Sequence, residues 1–460
     1  MAKRHEKKQG KLLLAVVVVV ILAAGYLFLN RTPGYVCKDC NVIIIFVECL
    51  RYDHMGFNDY YRNTTPNLDV FAEKSFNFRK ALTQAPWTKP SVASMFTSQY
   101  PHINKCLKSD SALPSSALTL TEVLKYHGYD TYGVIENPFL NYASKMQQGF
   151  NQYTSKAGDA RMLTNEAISK LKEAKKPFFF YLHYVDPHHP YDPPKEFQKW
   201  ADPNYQDVMH LTINVTTPNV WNIRTLYWDG NLTREDQKFI VDSYDGEILY
   251  ADSQIGRLLK YMEDNGLLEN TIVVISGDHG EEFFEHKSSE HGHTLYNELL
   301  HVALVIWNPK LEGGKAVEEE VHHLDLAPTI LDMIGREIPR NFQGESIVPY
   351  MLGKKRTDAT NYGEGVCYMQ ERKSIQKGGW KLIYNTEPEK YNTTQFELYD
   401  LEKDPEEQDN VYDNHKDETL VRNLKTELFV WIATNSSIEP ERAKMTEETE
   451  ERLKSLGYVI

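Results

Sequence analysis

A doubly wound α/β fold, with a mostly parallel sheet and a small C-terminal α+β subdomain, is what three features of this 460-residue sequence predict. Short apolar runs of β-forming residues, NVIIIFV, PFFFYLHYV and NTIVVISG, recur between helical patterns, as expected for strands buried on both faces of a parallel sheet. Each run leads into polar residues capable of chemistry, the arrangement found where ligands bind beyond the carboxyl ends of such strands. After about residue 355 the alternation stops and hairpin-like segments take over.

The elements follow in order. Residues 1–11, MAKRHEKKQGK, hold five Lys/Arg against one Glu, so the rest of a chain of net charge −14 carries −18. An acidic body without a basic stripe excludes nucleic acid as a partner. Leu12 to Leu29 is a run of eighteen residues without a charge, long enough for one transmembrane helix. Its basic flank predicts a single-pass anchor with the N-terminus cytoplasmic and the catalytic domain extracytoplasmic. A cleaved signal peptide processed at LAAG is the rival, but the apolar run continues through YLFL. Cys37 and Cys40, in YVCKDCN, read as a tight disulfide or as half a metal site. Cys49, Cys106 and Cys367 read as unpaired thiols. A catalytic domain over 41–355 opens with the NVIIIFV strand. Its helical patterns include ARMLTNEAISKLKEAKK and SYDGEILYADSQIGRLLKYMEDNG, the second stopping at Gly266. A subdomain over 356–460 contains the strand pair around KSIQKGGWKLIYN, the strand in TQFELYDLEKD and a charged final helix.

Three strand ends carry metal-binding chemistry: Glu48 after the first, Asp186 and His188 after the second, and Asp278 and His279 after the third, with His291 further on. Carboxylate and imidazole donors from separate strands suit a divalent cation. In QAPWTKPSVASMFTSQYPH, Thr88 opens a run that reads as a helix start, so it is either a cap or a nucleophile at the helix's positive end. Taken singly, each of these residues reads as a turn, a cap or a solvated loop. Their joint occurrence along one chain points to a site.

From about Asn41 to its end, the chain resembles the sulfatase family of the alkaline-phosphatase superfamily. The resemblance rests on LRYDHMG, WTKPSVASMFTSQYPH, HYVDPHHPY, the segment ending in VVISGDHGEEF, and HLDLAPTILDMIG, FQGESIVP, GGWKLIYN, ELYDLEKDPEEQDN and LKSLGYV. It implies an ester hydrolase using one divalent metal ion (Ca, Mg, Mn or Zn), with Glu48, Asp278, His279 and Thr88 as ligands. Glu48 stands where the family usually has Asp, and Cys49 where it has a second Asp or a Thr. His188 and His291 match residues that contact the transferred group or protonate the leaving oxygen. Thr88 falls on the nucleophile, where the best-known sulfatases place a Cys or Ser that becomes formylglycine. Threonine cannot follow that route, which leans the chemistry towards in-line attack on phosphorus. The family's Arg after Pro-Ser is Val92 here, leaving Lys89 as the candidate replacement. The implied substrate is a small-molecule, glycan or lipid ester. A transferase drawing phosphoethanolamine or phosphoglycerol from a lipid donor, and an inactive binding protein, are the rivals.

Overall fold

The structure, a computed structural model, describes residues 33–156, 158–202, 205, 220–434 and 437–455. The expected tail and anchor, Leu12 to Leu29 included, lie outside the described residues. Among those described, no helix is long and apolar enough to cross a membrane.

The first apolar run, Asn41–Val47, forms the middle of a nine-stranded sheet. Across the sheet the strands run His301–Val302, Phe76–Leu82, Leu304–Trp307, Thr271–Gly277, Asn41–Val47, Phe178–Tyr184, Asp130–Ile135 and Gln152–Ser155, with Lys315–His322 also on Phe76–Leu82. The five strands from Thr271–Gly277 to Gln152–Ser155 are parallel. Leu304–Trp307 joins antiparallel to both its neighbours. The sheet is therefore mixed and mostly parallel, as the alternating pattern predicts.

The continuous hydrophobicity of the central strands follows from burial on both sides. Val42, Ile44 and Phe46 enter one core with Val274 and Phe179, while Ile43, Ile45 and Val47 enter another with Val273 and Phe180. Register decides where the chemistry goes. Val47 pairs with Tyr184 on one side and Gly277 on the other. The three central strands thus end level, and the residues that follow them emerge together.

A four-stranded antiparallel sheet, Thr360–Gly363, Arg372–Lys377, Trp380–Asn385 and Phe396–Asp400, forms the later unit. Lys377 pairs with Trp380 around Gly378 and Gly379, whose φ values of 58° and 79° suit the two-residue hairpin turn that glycine favours. Helix Thr419–Ile432 covers this sheet through Val421, Leu424 and Leu428, packed with Ile375, Leu382 and Leu398. The charged final helix, Glu447–Ser455, returns to the large sheet's unit, where Leu453 packs with Trp87 and Phe139. Just before it, Glu441–Arg442 pairs with Ser111–Ala112.

Cys37 and Cys40 form a disulfide, so they are not half of a metal site. Cys49, Cys106 and Cys367 are free thiols, as expected.

Candidate active site

Thr88 does not cap its helix through its side chain. It is the first residue of helix Thr88–Thr97, whose N-cap is Trp87 and which has no side-chain cap. The Thr88 hydroxyl instead donates to Glu48 Oε1 at 2.9 Å and lies 3.4 Å from His279 Nε2. Both Thr88 and Glu48 are wholly buried. The helix is pinned in place by Ser91, which donates to the Asp278 carbonyl at 2.6 Å and accepts from Thr83 Oγ1 at 2.8 Å. The Pro-Ser pair after Thr88 therefore links the nucleophile candidate directly to a metal-ligand candidate.

The level strand ends bring Glu48, Asp278 and His279 together. His279 donates its Nδ1–H to the Gly280 carbonyl at 2.8 Å, which leaves Nε2 as a bare lone pair 3.5 Å from Asp278 Oδ2. Metal-binding histidines are characteristically oriented this way by their other nitrogen. Asp278 Oδ1 accepts backbone N–H groups from Cys49 and His279 at 3.1 and 2.8 Å. Its Oδ2 has no described hydrogen-bond partner although buried.

The sequence reading missed His183, inside the Phe178–Tyr184 strand. Its Nδ1 meets the Tyr181 hydroxyl at 2.7 Å. Its Nε2 lies 3.7 Å from both Glu48 Oε2 and Asp278 Oδ2, also buried without a described hydrogen-bond partner. The separations of His183 from each carboxylate and of His279 from Asp278, 3.5–3.7 Å, are close to the spacing of about 3.4 Å expected for tetrahedral ligands at zinc-like bond lengths. Carboxylates and imidazoles buried this close, too far apart for hydrogen bonds, fit a divalent cation between them. The only sequence signal for His183 was one polar residue in an otherwise apolar strand.

Asn137 was missed as well. Its amide donates to Glu48 Oε1 at 2.5 Å and to Thr88 Oγ1 at 3.4 Å, placing a neutral donor beside the candidate nucleophile. It comes from the loop after strand Asp130–Ile135, which the sequence reading did not connect with the site.

His188 and His291 arrive where expected. His188 donates from Nδ1 to the His189 carbonyl at 2.5 Å, and its Nε2 is 3.8 Å from Glu48 Oε1. The His291 ring lies 5.2 Å from that of His188 and 4.5 Å from that of His279. Its Nδ1 is 3.0 Å from Glu281 Oε1 and 3.5 Å from Cys49 Sγ. Burial, with His279 and His188 nearby, pulls His291 well below its ordinary range. Burial and Glu281 push the Cys49 thiol up. The two carboxyls divide: burial alone would raise Glu48, but His188, His183 and the Asn137 amide hold it well below the usual range. Burial pushes Asp278 up to about 7, His183 opposing and Glu48 assisting.

Two candidates do not join the cluster through hydrogen bonds. Lys89 is buried, with Nζ donating to the carbonyls of Ser109 and Ser111 at 2.6 and 3.0 Å and lying 5.0 Å from the centre of the Phe139 ring. It is a tether between the Thr88 helix and the loop leading to strand Ser111–Ala112, because its ammonium is engaged by those carbonyls. Val92 is wholly buried in the core beneath the sheet, where an arginine's charge would be desolvated. Asp186, at the same strand end as His188, instead accepts the Ala160 N–H at 2.7 Å and so supports helix Ala160–Glu173.

Comparison with known proteins gives a consistent picture. The sulfatase family model matches residues 40–336, and a model of the N-sulphoglucosamine sulphohydrolase C-terminal region matches residues 285–433. A sulfatase of Formosa agariphila is 25% identical, covering 84% of this chain and 85% of its own. An N-acetylglucosamine-6-O-sulfatase of Bacteroides thetaiotaomicron is 24% identical over 76% of this chain and 78% of its own. Among solved structures, a 2-O GAG sulfatase superposes with a TM-score of 0.71 at 19% identity, covering 86% of this chain and 92% of its own. The phosphonate monoester hydrolase of Agrobacterium radiobacter gives 0.69 at 18% identity, covering 89% and 98%.

Proposed function

Because this chain belongs to the sulfatase family and is a hydrolase of sulfuric or phosphoric esters, we propose that Thr88 is its nucleophile and phosphate esters its better substrates. The observation that carries this reading is the Thr88 hydroxyl, buried and donating at 2.9 Å to the buried Glu48 carboxylate. A capping threonine would face its own helix.

Glu48, Asp278, His279 and Thr88, with His183 as a further donor, would hold one divalent cation, which when bound supplies positive charge against the transferred group. The chain's own groups account for the rest. Thr88 Oγ attacks phosphorus as the bond to the leaving oxygen breaks, and its proton passes to Glu48, to which it already donates. The Asn137 amide and the N-terminal end of helix Thr88–Thr97 stabilise the non-bridging oxygens. The leaving oxygen takes a proton from His188, while His291, held neutral by its burial, stands beside it. Water then attacks phosphorus, releasing phosphate and restoring the Thr88 hydroxyl. A sulfothreonine lacks the aldehyde route by which formylglycine sheds sulfate, so sulfate esters should turn over more slowly.

Matched aryl phosphates and sulfates, assayed on wild type, Thr88→Ser and Thr88→Ala, test the reading. Loss of nearly all turnover in Thr88→Ala at little cost in stability is the expected result. Faster Thr88-dependent turnover of sulfates would overturn the phosphate preference alone. The matched relatives' names do not favour the transferase or the inactive binding protein.

The proposed location remains a single-pass anchor at Leu12 to Leu29 with the catalytic domain outside the cytoplasm. The Cys37–Cys40 disulfide supports it, since such bonds persist in oxidising compartments. Protease added to intact cells, or to spheroplasts beneath an outer membrane, should digest the catalytic domain. Protection until lysis would reverse the orientation.

A further inference from the structure

Beside the Thr88 cluster lies a cavity of about 700 Å³, within the range of small-molecule sites. Asn141, Tyr142 and Lys145 line it from the large unit, and Arg442, Lys444 and Arg452 from the returning C-terminal segment. Two ties place it next to the site. Asn137, whose amide reaches Glu48 and Thr88, is followed directly by Pro138, which lines the cavity; their Cα atoms are about 3.8 Å apart across a trans peptide. Leu453, one residue after Arg452, packs with Trp87, the residue before Thr88.

The lining has a definite chemistry. Its four cations face only two carboxylates, Glu441 and Glu448, on a chain of net charge −14. Lys145 is paired with Glu441. Arg442, its side chain 88% exposed, approaches Asp110 only to 3.9 Å, and Lys444 pairs with no described carboxylate. Positive charge is thus left over at the rim. Tyr142 is 56% exposed, with its hydroxyl turned to the Tyr153 carbonyl, so the ring offers a flat apolar plate. Amides and hydroxyls complete the wall. A sugar ring presents C–H faces to such a plate, and an oxyanion on it suits Lys444 and the exposed Arg442.

We propose that this cavity is a subsite for an anionic sugar unit, with its sulfate or phosphate held by Lys444 and Arg442 and its ring against Tyr142, while the scissile ester lies at Thr88. The assignment deepens the ester-hydrolase reading and rests on it.

Calorimetric titration of full-chain Thr88→Ala protein, which should bind without turnover, provides the test. The probes are a hexose disulfate, the same hexose without sulfate, which is uncharged, and the hexose bisphosphate. Adding Arg442→Ala and Lys444→Ala should weaken the charged probes by about tenfold or more, the scale of charge-assisted hydrogen bonds, and leave the uncharged probe unchanged. Tyr142→Ala should weaken all probes that bind. Whichever charged probe loses affinity identifies the oxyanion. Equal affinity of the charged probes with and without the two cations would overturn the subsite. Absence of aryl-ester turnover by the wild type, with the cation-dependent binding intact, would instead overturn the ester-hydrolase reading and leave the sugar site standing.

Discussion

Replacing His183 by leucine separates the proposed cation site from the fold around it. The imidazole Nε2 stands 3.7 Å from each of two carboxylate oxygens, and the ring's other nitrogen makes one hydrogen bond, at 2.7 Å to Tyr181. Leucine fills a similar volume and supplies neither nitrogen. Removing a ligand-orienting neighbour typically costs about 10–100-fold in metal affinity, or ~1.4–2.7 kcal/mol, and removing a ligand costs more. The fold itself forfeits one buried hydrogen bond, about 0.5–1.5 kcal/mol, with a further penalty if the Tyr181 hydroxyl is left unpaired. Cation affinity should therefore fall further than stability measured in chelator. Titration of chelator-stripped wild type and His183→Leu with Zn²⁺, Mn²⁺ and Ca²⁺, alongside urea unfolding in chelator, compares the two quantities. Equal dissociation constants for every cation would refute the placement of His183 at the site. A loss of several kcal/mol in chelator with unchanged affinity would make the residue structural.

Asn137→Ala should lower kcat by about 10²–10³-fold, the scale seen when one donor to a developing anion is removed, with circular dichroism unchanged; an unaltered kcat would remove the amide from the mechanism. Lys89→Met should cost ~1–3 kcal/mol by leaving two buried carbonyls short of a donor, while the KM for an aryl ester stays put; a rise in KM without loss of stability would restore Lys89 as a substrate-binding group. Val92→Arg, which copies the family's usual residue, should destabilise the protein strongly through overpacking and an unpaired buried charge, and a gain in turnover would show that the helix can turn this position towards substrate. Dialysis against chelator should abolish ester hydrolysis reversibly, and full activity in metal-free protein would eliminate the cation.

Much of this architecture was legible because burial on both faces leaves a plain mark. NVIIIFV and TIVVISG could hardly be anything but central strands, and the residues after them had to emerge on one edge. Glu48, Thr88, His188, Asp278, His279 and His291 are proposed on that ground and on the family motifs. His183 escaped because it lies inside a strand, where register alone decides whether it reaches the edge. Asn137 escaped because a lone amide in a loop has no spacing to betray it. Lys89 misled for the opposite reason: its neighbourhood to Thr88 in sequence says nothing about where a long side chain ends, and here it ends on the carbonyls of Ser109 and Ser111. The final helix has a charged sequence with little apolar pattern, so its return to Trp87 through the buried Leu453 could not be read from periodicity.

The level ending of the three central strands also constrains the order of events as the chain folds. Glu48, His183 and Asp278 are brought together only by pairing of strands distant in sequence, and such long-range pairing is the slow kind. No local fragment can gather this donor set early. A cation that recognises the finished constellation must enter after the sheet is assembled, and by binding the native state alone it would draw the folding equilibrium towards that state. The same ion would then act as a late clasp on a chain that had already found its shape, so that metal starvation would shorten the protein's lifetime as well as silence it.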